Sequence, residues 1–421
     1  MTAEVAILNK YGVALAADSA VTIGGRKIYN SANKLFALTK HHPVGVMIYG
    51  SALLNGVPWE TLIKHYRSRV LLDRRFDTVA EYKDDFLKFL RETDMITKES
   101  EEAFIRYFIY AACKSLRDRI TDFVKHIIDT DGKITKRQTN FIVKATVERW
   151  SAKHIEKCTI EKAHLSELVD RYGSSCEDSI GVIFQKLTVT KGVKAKLVKA
   201  ILCALTNEIG VIDGSGIVIS GFGETEVFPT ICRFMVEGRV DGHLKITNKT
   251  LSSVDDENNA IIVPFAQREM VSMFMEGIDP EYRNAISGAV SNMLKQLPDV
   301  MASKHSIAIS AGAKKAISSD IDEILGKFEQ GLREIQMSAF IRPVLDSAAA
   351  LPLDELALMA DALVNLTSFK RRVTMVLESV GGPIDTAVIS KGDGFIWIKR
   401  KHYFKPELNP HFFSNAIRNG S

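Results

Sequence analysis

The sequence predicts an α+β protein, and three observations carry that expectation. Short apolar runs broken by tight polar turns occupy the first fifty residues, at strand length. Helix-period runs dominate further on, among them Trp59-Glu60-Thr61-Leu62-Ile63-Lys64-His65-Tyr66, Phe104-Ile105-Arg106-Tyr107-Phe108-Ile109-Tyr110 and Ile321-Asp322-Glu323-Ile324-Leu325-Gly326-Lys327-Phe328. The composition is that of an ordinary globular protein: 421 residues, 46% hydrophobic and 25% charged, enough to bury a large core.

Residues 4–8 read as a strand, Asn9-Lys10-Tyr11-Gly12 as a turn, and Val13-Ala14-Leu15-Ala16-Ala17 as a second strand ending at Asp18. Folding this hairpin about its turn returns Asp18 to within about a residue of Thr2. A second reversal is expected at Gly24-Gly25, leading to Lys27-Ile28-Tyr29 and then to Lys34-Leu35-Phe36-Ala37-Leu38. Pro43-Val44-Gly45-Val46-Met47-Ile48-Tyr49 is a buried strand that stops at Gly50. Thr2 itself follows Met1, and a small second residue favours methionine removal. A threonine at the start of a chain carries a hydroxyl nucleophile and an α-amine, with a reference pKa of about 8, that can serve as its base.

The stretches Val13-Ala14-Leu15-Ala16-Ala17-Asp18-Ser19 and Lys27-Ile28-Tyr29-Asn30-Ser31-Ala32-Asn33-Lys34-Leu35-Phe36 resemble the opening segment of proteasome β-subunits, within the N-terminal-nucleophile (Ntn) hydrolases. Residues 216–221 with 230–237 are similar to that family's middle hairpin. Gly381-Gly382-Pro383-Ile384-Asp385-Thr386-Ala387-Val388-Ile389-Ser390-Lys391-Gly392-Asp393-Gly394-Phe395 is similar to its closing hairpin, and Pro352-Leu353-Asp354-Glu355 opens a long helix before it. The resemblance implies a four-layer αββα Ntn-hydrolase sandwich with large helical insertions. Its core would comprise 1–51, 213–276 and 351–404. Residues 52–212 would hold core helices and one helical insertion, 277–350 a second, and 405–421 a C-terminal tail.

The resemblance also implies roles. Thr2 is the expected nucleophile, and the Lys34 ammonium favours the developing alkoxide and a neutral α-amine. Asp18 holds that ammonium in place, and the backbone N–H at Gly50 faces the oxyanion. Val21, Ala32, Phe36, Ile48 and Ala52 would line the substrate pocket; none carries a charge, so an apolar side chain is expected there. On charge alone, Asp18→Asn should hurt less than Lys34→Ala. Two positions depart from the family: Ala266 or Gln267 stands where it has a supporting serine, and Leu377-Glu378-Ser379-Val380 stands near its later aspartate and serine, with Glu378 and Ser379 as candidate substitutes.

Other motifs carry less. Ser31-Ala32-Asn33-Lys34 fits the S-x-x-K pattern of serine acylases, but that chemistry needs a helix where the flanks read as strand. Asp129-Thr130-Asp131-Gly132 hints at a calcium loop, yet Ile127 and Gln138 occupy two of the ligand positions; a polar turn between helices is expected. Gly221-Phe222-Gly223 lacks the rest of a dinucleotide fingerprint, and no C-x-x-C or H-E-x-x-H occurs, so neither cofactor nor metal is expected.

Five scattered cysteines suit a reducing compartment, and neither a leader nor a membrane-length apolar run is read, so the expected location is cytoplasmic. A net charge of +4 does not call for nucleic acid, and Lys399-Arg400-Lys401-His402-Tyr403 reads as a solvated strand end. The expected function is therefore a threonine hydrolase of peptide or amide bonds. It would be a ring-like homo-oligomer, with an ATP-dependent unfoldase as a candidate partner. A catalytically inactive scaffold that binds a partner through the insertions is the alternative, and a small-molecule amidase comes third.

Overall fold

The structure, a computed structural model, describes residues 2–23, 27–305, 310–374, 380–402, 404–411 and 414. The reversal expected at Gly24-Gly25 lies outside the described residues, as do Met1, Leu377, Glu378, Ser379 and Tyr403. The chain runs through β1 (Ala3–Asn9), β2 (Gly12–Ala17), β3 (Val21–Ile23), β4 (Lys27–Tyr29), β5 (Leu35–Ala37), β6 (Val44–Gly50), β7 (Leu53–Leu54) and β8 (Val57–Pro58). Helices α1 (Trp59–His65), α2 (Val79–Glu92), α3 (Lys98–Asp131), α4 (Lys136–Glu156), α5 (Lys162–Phe184) and α6 (Lys191–Ala204) come after them. Next come β9 (Ser215–Gly221), β10 (Thr230–Val240), β11 (His243–Ser253) and β12 (Ala260–Ala266). The chain closes with α7 (Glu269–Glu276), α8 (Pro280–His305), α9 (Ala311–Ile335), α10 (Arg342–Ala350), α11 (Leu353–Val373), β13 (Asp385–Ser390) and β14 (Gly394–Lys399). The protein is thus α+β, and it divides into two compact units, each built on a five-stranded sheet.

The first unit takes the described residues as far as Leu35, Val227–Pro229 and those from Ser253 on. Its sheet has the order β12-β1-β2-β13-β14, with every pairing antiparallel. The β1–β2 hairpin closes as the residue types demand. Asn9 Oδ1 accepts from the N–H groups of Tyr11 (2.9 Å) and Gly12 (3.2 Å), while its amide nitrogen donates to Ala348 and Leu351 carbonyls. Gly12 also lets β13 approach: a Cβ there would lie 2.2 Å from the Ile389 carbonyl oxygen. Alternation then divides β1 between two faces. Ala3, Val5 and Ile7 join Ala14 and Ala16 of β2 in a core with Leu356, Ala357, Ala360, Leu363 and Val364 of α11. Thr2, Glu4, Ala6 and Leu8 take the opposite face. The register pairs Glu4 with Ala17 and with Phe265.

The second unit comprises Phe36–Glu226 and Thr230–Ser252, with sheet order β11-β10-β9-β6-β5. Val44, Val46 and Ile48 of β6 pack with Trp59, Leu62 and Ile63 of α1 and with Tyr82, Phe86 and Leu90 of α2. A separate apolar core joins α3, α4, α5 and α6 through Phe108, Ile109, Val143, Val147, Cys176, Ile180, Leu197 and Ile201. The helices start where capping chemistry allows: Thr78 with Glu81 and Thr135 with Gln138 form capping boxes. Helix α3 ends at Gly132 in a left-handed cap, φ 73°, so the Asp129–Gly132 stretch is a helix end and turn.

One buried pair ties this unit together. Arg239 on β10 donates to Glu101 Oε1 at 2.5 Å and to the Leu90, Arg91, Thr93 and Ile96 carbonyls, in the last turn of α2 and the segment between α2 and α3. Glu101 in turn accepts from the Asp241 and Gly242 N–H groups at the β10–β11 turn. Removing the guanidinium strands a buried carboxylate and several carbonyls. Arg239→Met should therefore cost about 3–5 kcal/mol, read as a lower denaturation midpoint in urea.

Candidate active site

The end of the β1–β2 hairpin brings Asp18 level with Ala3. Asp18 N donates to the Ala3 carbonyl at 3.1 Å, and Ala3 N donates to Asp18 Oδ1 at 3.0 Å. Asp18 Oδ2 accepts from Ala20 N at 3.2 Å and from Gly381 N at 3.0 Å, so the loop before β13 is fastened to the same carboxylate. Ser19 reinforces it, its N–H reaching the Gly381 carbonyl and its hydroxyl the Pro383 carbonyl.

Lys34 supplies the fourth donor. Its Nζ lies 2.6 Å from Asp18 Oδ1 and 3.1 Å from Thr2 Oγ1, with all three side chains buried. Residues 31–34 have no helical structure, and the Lys34 ammonium is engaged by Thr2 and Asp18, so the S-x-x-K arrangement is not formed. Four hydrogen bonds also change what Asp18→Asn means. An amide NH2 would face donors on one side, so the substitution is not the mild one that charge alone suggests.

The Thr2 carbonyl accepts from Gln267 N at 3.1 Å, just past β12, where Ala266 takes a left-handed conformation at φ 59°. The Gln267 side-chain oxygen accepts from the Arg371 guanidinium, which lies 3.5 Å from Glu269 as well. The strand end after β12 is therefore tied to α11 by an amide held by a cation.

One group escaped the sequence reading. Glu4 is 1% exposed, and neither of its carboxylate oxygens has a hydrogen-bond partner among the described residues. Burial pushes its carboxyl well above the ordinary carboxylate range; the Lys34 ammonium opposes this shift and Asp18 adds to it. The signal was present: a lone acid in an apolar strand, two residues from Thr2 and hence on its face.

Gly50 belongs to the second unit, at the end of β6 opposite Ser215. Its φ is 82°, and a Cβ would stand 2.4 Å from the Gly214 carbonyl oxygen, so two independent constraints require glycine. Ser51 N donates to the Gly214 carbonyl at 3.1 Å, Ser215 Oγ to the Ser51 carbonyl at 2.8 Å, and Trp59 Nε1 to Ser215 Oγ at 2.7 Å. Phe36 and Ile48 are buried in this unit and Ala52 is exposed; Val21 and Ala32 are half-buried in the first unit.

Other nucleophiles and ligands are less suited. Burial pushes the Cys113, Cys176 and Cys232 thiols up to about 12, away from reactive thiolate. Among the described residues, no three His, Cys, Asp or Glu side chains are grouped to hold a metal ion, and no helix is long and apolar enough to cross a membrane.

No family model matches the chain, and no curated protein matches it. Among solved structures it is similar to Anbu, described as an ancestral β-subunit, from Yersinia bercovieri, at 9% identity and TM-score 0.28, over 99% of this chain and 95% of that one. The Anbu complex of Pseudomonas aeruginosa, solved as a helical assembly, matches at 8% identity and TM-score 0.33, over 99% and 94%. A Gly-1 mutant of Anbu from Hyphomicrobium sp. strain MC1 matches at 10% and 0.28, over 100% and 96%. The functional reading rests on this chain's own residues.

The geometry at Gly50 makes a direct prediction. Gly50→Ala should destabilise the protein by about 1–3 kcal/mol from backbone strain alone, visible as a lowered thermal midpoint. An unchanged midpoint would mean that the strand end relaxes freely and does not hold its N–H in place.

Proposed function

We propose that this protein is a threonine hydrolase of the N-terminal-nucleophile kind, acting on peptide or amide bonds after removal of Met1. One observation carries the reading: the Lys34 ammonium sits 3.1 Å from Thr2 Oγ1 and 2.6 Å from Asp18 Oδ1, beside the second residue of the chain. The freed α-amine of Thr2, kept neutral by the adjacent ammonium, would take the hydroxyl proton as Oγ1 attacks the carbonyl carbon. The tetrahedral oxyanion would be met by the Gly50 N–H. Collapse would expel the leaving amine, protonated by the same α-ammonium, and leave an ester on Thr2. Water, deprotonated by the α-amine, would then attack the ester and release the acid.

The four-layer αββα sandwich that the resemblance implies belongs to this reading. So do a cytoplasmic location, a ring-like homo-oligomer and an unfoldase partner. A second reading, an inactive scaffold, draws on the expectation that Ala266 or Gln267 replaces a supporting hydroxyl; the Gln267 side chain accepts from Arg371.

Incubation with a threonine-directed electrophile, followed by intact-mass analysis and peptide mapping, tests the nucleophile. Adduct on a chain that starts at Thr2 is expected, lost in Thr2→Ala and partly kept in Thr2→Ser. Lys34→Ala should slow labelling by roughly two to four orders of magnitude. A retained Met1, or labelling of the alanine variant at the wild-type rate, would sink the proposal.

The resemblance assigns the substrate pocket to Val21, Ala32, Phe36, Ile48 and Ala52, none of them charged. Burying an unpaired charge there would cost several kcal/mol, whereas an apolar side chain would gain about 1.5–3 kcal/mol. A positional scanning library of fluorogenic peptides should favour leucine or phenylalanine at the cleavage position over arginine or glutamate. A charged preference would displace the pocket assignment.

A further inference from the structure

We infer that Glu4 is a positioning residue of the Thr2 site, a neutral acid that leaves the Lys34 ammonium to Thr2 and Asp18 and that silences the site when it loses its proton. The inference rests on the reading of Thr2 as nucleophile and adds to it the acid that regulates it.

The geometry leads there in three steps. Strand alternation puts Glu4 on the same face as Thr2, roughly 6–7 Å along β1. Asp18, by contrast, has both oxygens committed, to Lys34 Nζ and to the N–H groups of Ala3, Ala20 and Gly381. Glu4 has no such donor among the described residues, although it is 1% exposed. A carboxylate buried without hydrogen bonds is disfavoured against its protonated form, and the direction of its shift agrees.

Two charges bear on Glu4 among the described residues. The strands flanking β1, which are β2 and β12, carry no titratable side chain. The charges that bear on it are Lys34, which favours the anion, and Asp18, which disfavours it. With Glu4 neutral, Asp18 and Lys34 cancel, and the ammonium is free to face Thr2 Oγ1. Loss of the proton would add an uncompensated negative charge. That charge would compete with Asp18 for Lys34, oppose the alkoxide and the oxyanion, and hold the Thr2 α-amine in its protonated form, unable to act as a base. A valine or alanine in the same place would bury no charge at any pH, so the acid adds an alkaline limit that the strand does not need for folding.

The linkage between this proton and folding has a definite sign. Folded protein retains a proton on Glu4 that unfolded chain releases above about pH 4.5. Wild-type stability is thus lost as pH rises through that value and continues to fall until the folded carboxyl itself ionises. Glu4→Gln keeps the shape of the neutral acid and does not titrate.

The test compares wild type with Glu4→Gln, and with Glu4→Met should the amide variant fold poorly. Denaturant unfolding between about pH 5 and about pH 9 should show the variant gaining on wild type, by about tenfold in the unfolding equilibrium constant for each pH unit until the folded carboxyl titrates. Labelling of Thr2 by the electrophile should proceed in Glu4→Gln within a few-fold of wild type at neutral pH. At alkaline pH, wild type should fall off by about tenfold per pH unit before the variant does. A stability gap that is flat with pH would overturn the inference, because Glu4 would then be ionised in the folded protein. So would an alkaline limb that coincides in the two proteins, or loss of labelling in Glu4→Gln. If wild type is not labelled at any pH, the Thr2 reading fails, and the stability comparison still decides the protonation of Glu4.

Discussion

The Asp18 carboxylate is the point on which the geometry around Thr2 hangs. Its donors come from four places in the chain: Ala3 on β1, Ala20 after β2, Lys34 ahead of β5, and Gly381 before β13. A buried carboxylate without such donors would cost several kcal/mol, so its four partners are held in one arrangement rather than merely allowed one. That single anion fixes where Lys34 points, and Lys34 fixes the surroundings of Thr2 Oγ1. The hairpin register that delivers Asp18 opposite Ala3 is itself set by the alternation of β1 against α11, since a slip of one residue would turn Val5 and Ile7 away from their core. Core packing and site geometry are therefore one constraint.

The second unit fixes Gly50 by a different device. There the strand end is fastened by a chain of hydrogen bonds from Trp59 to Ser215 to the Ser51 carbonyl, with the Gly214 carbonyl pressed against the glycine itself. Neutral groups suffice because the thing to be held is a peptide plane, not a charge. Trp59 is fully buried as the first residue of α1, so the helix that covers β6 also braces its end.

Much of this was legible in the residues. The hairpin, the return of Asp18 and the buried strand ending at Gly50 rest on local pattern and turn chemistry, which act over a few residues. Expecting helices at Trp59, Phe104 and Ile321 likewise needed only periodicity, and α1, α3 and α9 lie there. The features that stayed hidden involve partners far apart in the chain. The Gln267–Arg371 contact spans strand end and helix, and Gly381 meets Asp18 across more than three hundred residues; periodicity says nothing of either. The supporting residues sought at Glu378 and Ser379 lie outside the described residues.

Glu4 shows why a site can be half read. Its face was available from alternation, since Thr2 and Glu4 differ by two, but an acid near a strand's start is ordinarily taken for solvent-exposed. Whether it is buried depends on everything that packs over that face, and whether it is paired depends on which donors reach it. Asp18 and Glu4 are both carboxylates within one hairpin, yet one collects four donors and the other none among the described residues. The difference arises from backbone geometry: Asp18 lies past the end of β2, where peptide N–H groups are free to turn inward, while Glu4 sits inside β1 between two strands whose N–H groups are spent on the ladder. Two acids of like intrinsic chemistry are thereby given opposite tasks by their position on the sheet, one to anchor a cation and the other to stay uncharged beside it.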